Sequence, residues 1–269
     1  MTSSMVMTWI TPGTSPVDWC EANYTVTPYI AEFVNTISNV FFLFAPMGSI
    51  KLWSSYAKNV SPGIHLVWIF FAIIGVSSAY FHATLSLLGQ LLDELSIVWV
   101  LMVSYSLFTP ISYRPKIFQK NQKLYRVTLL LLGIFVTASC FVQPVVNAYA
   151  LFIFGVPAVT MLAKETRRSK EQSVARLGKI TLIALLFAAI SWVSDKFLCS
   201  VWRSLNFAVL HGIWHVLIFV GSYTTQVLFC YFHAVQDVPT SKPLLKFWPK
   251  KNWGLPYVEC SDPMERKTP

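Results

Sequence analysis

The chain is 269 residues long, 55% hydrophobic and only 12% charged, which excludes a soluble globule and fits a polytopic membrane protein. Its net charge of +9 needs no nucleic-acid partner. The basic residues fall in alternate loops, where they face anionic lipid headgroups.

Residues 1–32 are expected to form a lumenal N-terminal segment, in which Met1 to Pro28 is polar and proline-containing, with no basic stretch ahead of an apolar one. No cleavable signal is visible, and the first span is expected to direct insertion. "VDWCEANYTVTPYIAEF" gathers Asp18, Glu21, Asn23 and Glu32, with the Trp19 carbonyl between them. These are hard oxygen donors of the kind calcium takes in sets of six to eight. The spacing is not that of an EF-hand loop, so a solvated acidic loop stays open as the other reading. Asn23-Tyr24-Thr25 is also a glycosylation sequon, which a metal-bound Asn23 could not serve.

Seven apolar stretches of roughly membrane-spanning length follow, at about 33–50, 64–86, 91–109, 125–143, 146–163, 180–198 and 207–232. The fold expected is all-α, a seven-helix domain over residues 33–232 with a tight turn near Gly89 and a tail over 233–269. Lys51 and Lys58 follow the first span, Arg114 to Arg126 surround the loop after the third, and Lys164 to Lys179 fill the loop after the fifth. Lys196 and Arg203 are the basic residues in loops of the other side, which puts the N-terminus in the lumen and the C-terminus in the cytosol. "KFWPKKNW" in the tail pairs aromatics with lysines, as an interfacial anchor does.

Ionisable groups inside spans are costly and are functional candidates by default. Ser78 and His82 lie four apart near the lumenal end of the second span, on one helix face. Asp93 and Glu94 open the third, and His211 and His215, again four apart, open the seventh. The topology brings these positions to one depth. Three histidines converging there can hold zinc with its fourth position free, the arrangement of a catalytic site. Zinc at such a site lowers the pKa of its water to about 7 and makes hydrolysis its natural use. Asp93 could then shuttle the proton and Ser78 could bond the oxyanion. Glu94 points about 100° away from Asp93. The bland alternative, hydrogen-bonded packing histidines, suits His65 and His233, which sit at the cytosolic depth and read as interfacial. Asp195 either pairs with Lys196 or Arg203 or holds a metal-bound histidine through its free N–H. Of the five cysteines, Cys20 and Cys199 fall on the lumenal side, where pairing is chemically open to them. Cys140 and Cys230 lie within spans and read as inert thiols.

"DWCEANY", "IAEFVNTISN", "YFHATLSLLGQLLDE", "SWVSDKFLC" and "LHGIWHVLI" resemble the motifs of the alkaline ceramidases, in order and over nearly the whole chain. "CEANYTVTPYIAEFVNTISNVFF" and "GVPAVTMLAKE" are most similar to the Golgi-type members, which implies a Golgi membrane, with the endoplasmic reticulum as the alternative. The resemblance implies a seven-helix intramembrane zinc amidohydrolase, stimulated by calcium, that splits ceramide into sphingosine and a fatty acid. It implies zinc ligands at His82, His211 and His215, catalytic roles for Asp93 and Ser78, and calcium ligands at Asp18, Trp19, Glu21, Asn23 and Glu32. It also implies a Cys20–Cys199 disulfide. A lipid substrate suits a site in the hydrocarbon layer, which lipids reach laterally and soluble peptides reach poorly. Adiponectin and progestin receptor-like proteins, also seven-helix and zinc-containing, are the alternative, but they are expected to keep the N-terminus in the cytosol. A proton pathway would not require three histidines set for one metal, and no inverted repeat of the hydropathy pattern is visible.

Overall fold

The structure is a computed structural model that describes residues 8–144 and 146–261. Its helices are α1 (Phe33–Ile37), α2 (Val40–Leu52), α3 (Ser54–Asn59), α4 (Ile64–Thr84), α5 (Leu87–Phe108), α6 (Lys116–Gln119), α7 (Gln122–Val142), α8 (Val146–Arg168), α9 (Gln172–Phe197), α10 (Cys199–Ser204) and α11 (Leu210–Asp237). Six segments among the described residues are long and apolar enough to cross a membrane: Phe33–Leu52, α4, α5, α7, α9 and α11. The expected fifth span is α8, 23 residues long, which is not among those six.

Helices are the form that lets a chain satisfy its backbone polar groups where no water is available. Large apolar side chains such as Phe135, Phe152 and Ile183 stay exposed on the outside of the bundle, the distribution expected where lipid is the solvent. The interior is most aromatic toward the C-terminal end of α11, where Trp53, Tyr56, Trp68 and Tyr223 are buried together.

Three features depart from the sequence reading. The first span is broken at Ser38–Asn39 into α1 and α2. There the Ser38 hydroxyl and the Asn39 amide both bond the Asn35 carbonyl, at 3.0 and 2.9 Å, competing with the helical ladder. The turn between the second and third spans lies at Leu85–Ser86 and not at Gly89. Leu85 is left-handed at φ 50°, and Ser86 caps α5 by accepting the Gly89 N–H at 3.1 Å. Gly89 belongs to the first turn of α5, where a Cβ would stand 2.9 Å from the Phe81 Cα, so glycine is what lets α4 and α5 close on each other. Finally, the expected all-α tail contains a hairpin of β1 (Leu244–Lys250) and β2 (Trp253–Glu259), paired antiparallel from Leu244↔Glu259 to Lys250↔Trp253. It packs on α11 through Tyr223, whose hydroxyl donates to the Pro256 carbonyl at 3.0 Å, and α11 itself runs past residue 232 to Asp237.

The packing that matters for function is the set of helices around α1. This short helix touches both α4 and α11. Gly212 permits the approach, since a Cβ there would stand 3.0 Å from the Val34 side chain.

Candidate metal centre and catalytic site

The end of α4 carries His82, and the first turns of α11 carry His211 and His215. Their ring centroids form a near-equilateral triangle with sides of 5.0, 4.9 and 4.7 Å. All three side chains are buried, at 0%, 2% and 2% exposure. One ligand atom from each falls within 4.8 Å of the others.

Two of the rings are oriented from α1 and the residue before it. His82 Nδ1 lies 2.5 Å from Glu32 Oε2, so Nδ1 carries the proton it donates to the carboxylate and Nε2 keeps its lone pair. His215 Nδ1 lies 2.7 Å from the Ser38 hydroxyl. That hydroxyl spends its own proton on the Asn35 carbonyl, so His215 also donates from Nδ1 and leaves Nε2 as the lone-pair nitrogen. His82 Nε2, His211 Nδ1 and His215 Nε2 are buried without a hydrogen-bond partner among the described residues. Three orphaned imidazole nitrogens in one pocket would each cost free energy unless a shared partner were bound. Their number and chemistry fit a zinc ion held by three nitrogens.

Beside them, Ser78 is one helical turn from His82 on α4 and buried at 2% exposure. The Asp93 carboxylate from α5 is within reach of its hydroxyl. Glu94 turns the other way, accepting the Gln90 and Asn147 amides at 3.1 and 2.9 Å.

The N-terminal loop packs on the same end of the bundle. Glu32 accepts the Trp19 N–H at 3.0 Å and the Asn35 amide at 3.0 Å. Glu21 caps α1 by accepting the Val34 and Asn35 N–H groups at 2.7 and 2.9 Å. The Asn23 amide reaches Asp18 at 3.2 Å, and the Asp18 and Glu32 carboxyls are themselves within hydrogen-bond reach. Burial raises the carboxyl pKa of Glu21 and Glu32. Partial burial raises that of Asp18, and the Glu32 charge adds to the rise at Asp18 and Glu21. Acidic oxygens that push one another toward protonation are the donor set a divalent cation relieves, and their hardness fits calcium. Cys20 and Cys199 form a disulfide that ties this loop to α10.

The family model described as Ceramidase matches residues 11–259. The chain belongs to the ceramidase family. It is 44% identical to an alkaline ceramidase of Drosophila melanogaster over 96% of this chain and 92% of that protein. It is 38% identical to alkaline ceramidase 1 of Homo sapiens over 91% of this chain and 94% of that one, and 32% identical to an alkaline ceramidase of Caenorhabditis elegans over 91% and 93%.

For this ceramidase-family chain the structure brings His82, His211 and His215 together, with Ser78 one helical turn from His82 on α4. One placement differs. Asp195 accepts the Cys20 backbone N–H at 3.0 Å, with the His211 backbone N–H also in reach; it does not bond a histidine ring. His233, near the end of α11, is buried at 5% exposure, 3.3 Å from the Tyr56 hydroxyl, beside the Arg114–Asp237 ion pair. Sequence reasoning missed Ser38 and Asn35. Their signal was the polar run "NTISN" at the head of an apolar span, which has no packing rationale in lipid.

Proposed function

We propose that this ceramidase-family enzyme hydrolyses the amide of ceramide to sphingosine and a free fatty acid, with zinc at His82, His211 and His215. The observation that carries the reading is the trio of buried, orphaned imidazole nitrogens. Calcium is assigned to Asp18, the Trp19 carbonyl, Glu21, Asn23 and Glu32, supported by the crowding of their carboxyls. The chain is read as crossing the membrane seven times, α8 included, with the N-terminal loop lumenal and the hairpin cytosolic. The alternation of basic loops supports this orientation. A Golgi location rests on the resemblance of the N-terminal motifs. The relatives named above carry ceramidase names, which disfavours the receptor reading.

When bound, zinc would supply Lewis acidity and a water of lowered pKa in a dry site. The chain's own residues do the rest. Glu32 and Ser38 fix the His82 and His215 rings with their lone pairs facing one point. Asp93 takes the proton of the attacking water and returns it to the amine nitrogen as the C–N bond breaks. Ser78, free to turn from Asp93 to the substrate, donates to the amide oxygen as that oxygen gathers negative charge.

The test is release of sphingosine from fluorescent ceramide by purified protein, wild type beside His215→Ala, with zinc content measured on both. Turnover and zinc lost together in the variant are the expected result. Zinc-loaded wild type that turns over no ceramide of any chain length would sink the hydrolase reading.

A further inference from the structure

The Trp19 side chain has no part in the chemistry described so far, since only its carbonyl is assigned to calcium. Its indole nevertheless lies flat on a metal-site histidine. The Trp19 and His211 ring centroids are 3.7 Å apart with planes at 21°, and Trp214 stacks on the same imidazole at 4.8 Å and 29°. On the Trp19 ring rests the Lys196 ammonium, 5.1 Å from the centroid, while Trp192 meets it edge-on at 5.9 Å.

The backbone that presents this indole is fixed from several directions. The Trp19 N–H is held by Glu32. The next residue, Cys20, is bound at its N–H by Asp195 and at its carbonyl by Arg203 at 3.0 Å, and at its sulfur by Cys199. These ties converge on one short turn in which Cys20 and Glu21 are buried, and their common product is the placement of one ring. His211 also lacks what the other two histidines have. His82 has a carboxylate and His215 a hydroxyl on the nitrogen away from the centre, whereas among the described residues no side chain hydrogen-bonds the His211 ring.

We propose that the Trp19 indole is a positioning residue for His211, a stacked platform that orients the ring where a hydrogen bond orients the other two; this rests on the metal-centre reading above. A metal-bound imidazole is electron-poor, and the face of an indole attracts it as it attracts a cation. Lys196 braces the platform from outside. Asp195, Arg203 and the disulfide act through it, which gives those lumenal residues one shared role.

The experiment uses the full chain in lipid nanodiscs: wild type, Trp19→Phe, Trp19→Leu and Lys196→Gln. Zinc affinity is read by competition with a chromophoric chelator, and ligand geometry by the visible spectrum after cobalt(II) substitution. Trp19→Leu is expected to weaken zinc about 10- to 100-fold, the range for loss of a group that orients a metal ligand, and to alter the cobalt spectrum. Trp19→Phe should recover most of the affinity, and Lys196→Gln should lose about 2- to 5-fold, as for an exposed cation over a ring. If Trp19→Leu fails to fold, Trp19→Phe and Lys196→Gln decide. Zinc affinity and cobalt spectra unchanged in the folded variants would overturn the proposal. A parallel loss of calcium response would overturn it too, by making the whole loop and not the ring responsible, because every variant keeps the Trp19 carbonyl. Wild type that binds neither metal would instead remove the metal-centre reading itself.

Discussion

Replacing Ser38 with alanine tests the metal centre through a residue that touches no substrate. The hydroxyl accepts the His215 Nδ1 proton at 2.7 Å and donates to the Asn35 carbonyl at 3.0 Å. With His215 only 2% exposed, water cannot replace it. Leaving a buried donor unsatisfied costs about 1–3 kcal/mol, which at about 1.4 kcal/mol per tenfold is a loss of roughly 5- to 140-fold in metal affinity. The Asn35 backbone carbonyl is also a hydrogen-bond neighbour of His215 and can take up part of the deficit. The expectation for Ser38→Ala is therefore the lower half of that range, about 5- to 30-fold weaker zinc, with a matching fall in ceramide turnover at limiting zinc. Zinc affinity by chelator competition, sphingosine release and the melting temperature in detergent are read on one preparation. Affinity and turnover within twofold of wild type in a folded variant would refute the argument that Ser38 orients His215.

Asp93→Asn should keep its zinc while turnover falls about 10²- to 10⁴-fold, the usual worth of a positioned proton relay; zinc lost along with activity would show that Asp93 supports the centre instead. Removing the Cys20–Cys199 disulfide with Cys199→Ser should lower stability by about 2–5 kcal/mol, read as a lower melting temperature, and an unchanged melting curve would mean that hydrogen bonds alone hold the loop. Gly89→Ala puts a Cβ 2.9 Å from the Phe81 Cα, so α4 and α5 must part at a cost of about 1–3 kcal/mol. His82 and Asp93 sit on those two helices, and activity should drop more than stability does; wild-type activity in this variant would show that the close approach is not required.

Helical membrane character was legible in the sequence because burial in lipid writes itself directly into composition and run length. The triad His82, His211 and His215 was legible for a related reason. An ionisable residue in an apolar span stands out against its neighbours, and i, i+4 spacing fixes its face whatever the helix packs against. Asp93 and Ser78 followed from the same contrast, and Glu94 was set aside by helical angle alone.

Tertiary structure decided what the periodicity of a single helix cannot express. Glu32, flagged only as a calcium candidate, also bonds His82 across 50 residues. Ser38 meets His215 across 177, and only the break after α1 turns its hydroxyl that way. Asp195 had three candidate partners in the sequence and took none of those bonds, because the disulfide brings the Cys20 N–H to it from 175 residues away. The hairpin over Leu244–Glu259 was hidden because its lysines and aromatics suit a membrane surface and a strand pair equally well, and packing against α11 settles it. A sequence states which residues are costly in lipid; which groups relieve that cost is a matter of distances between helices, and those exist only once the chain has folded.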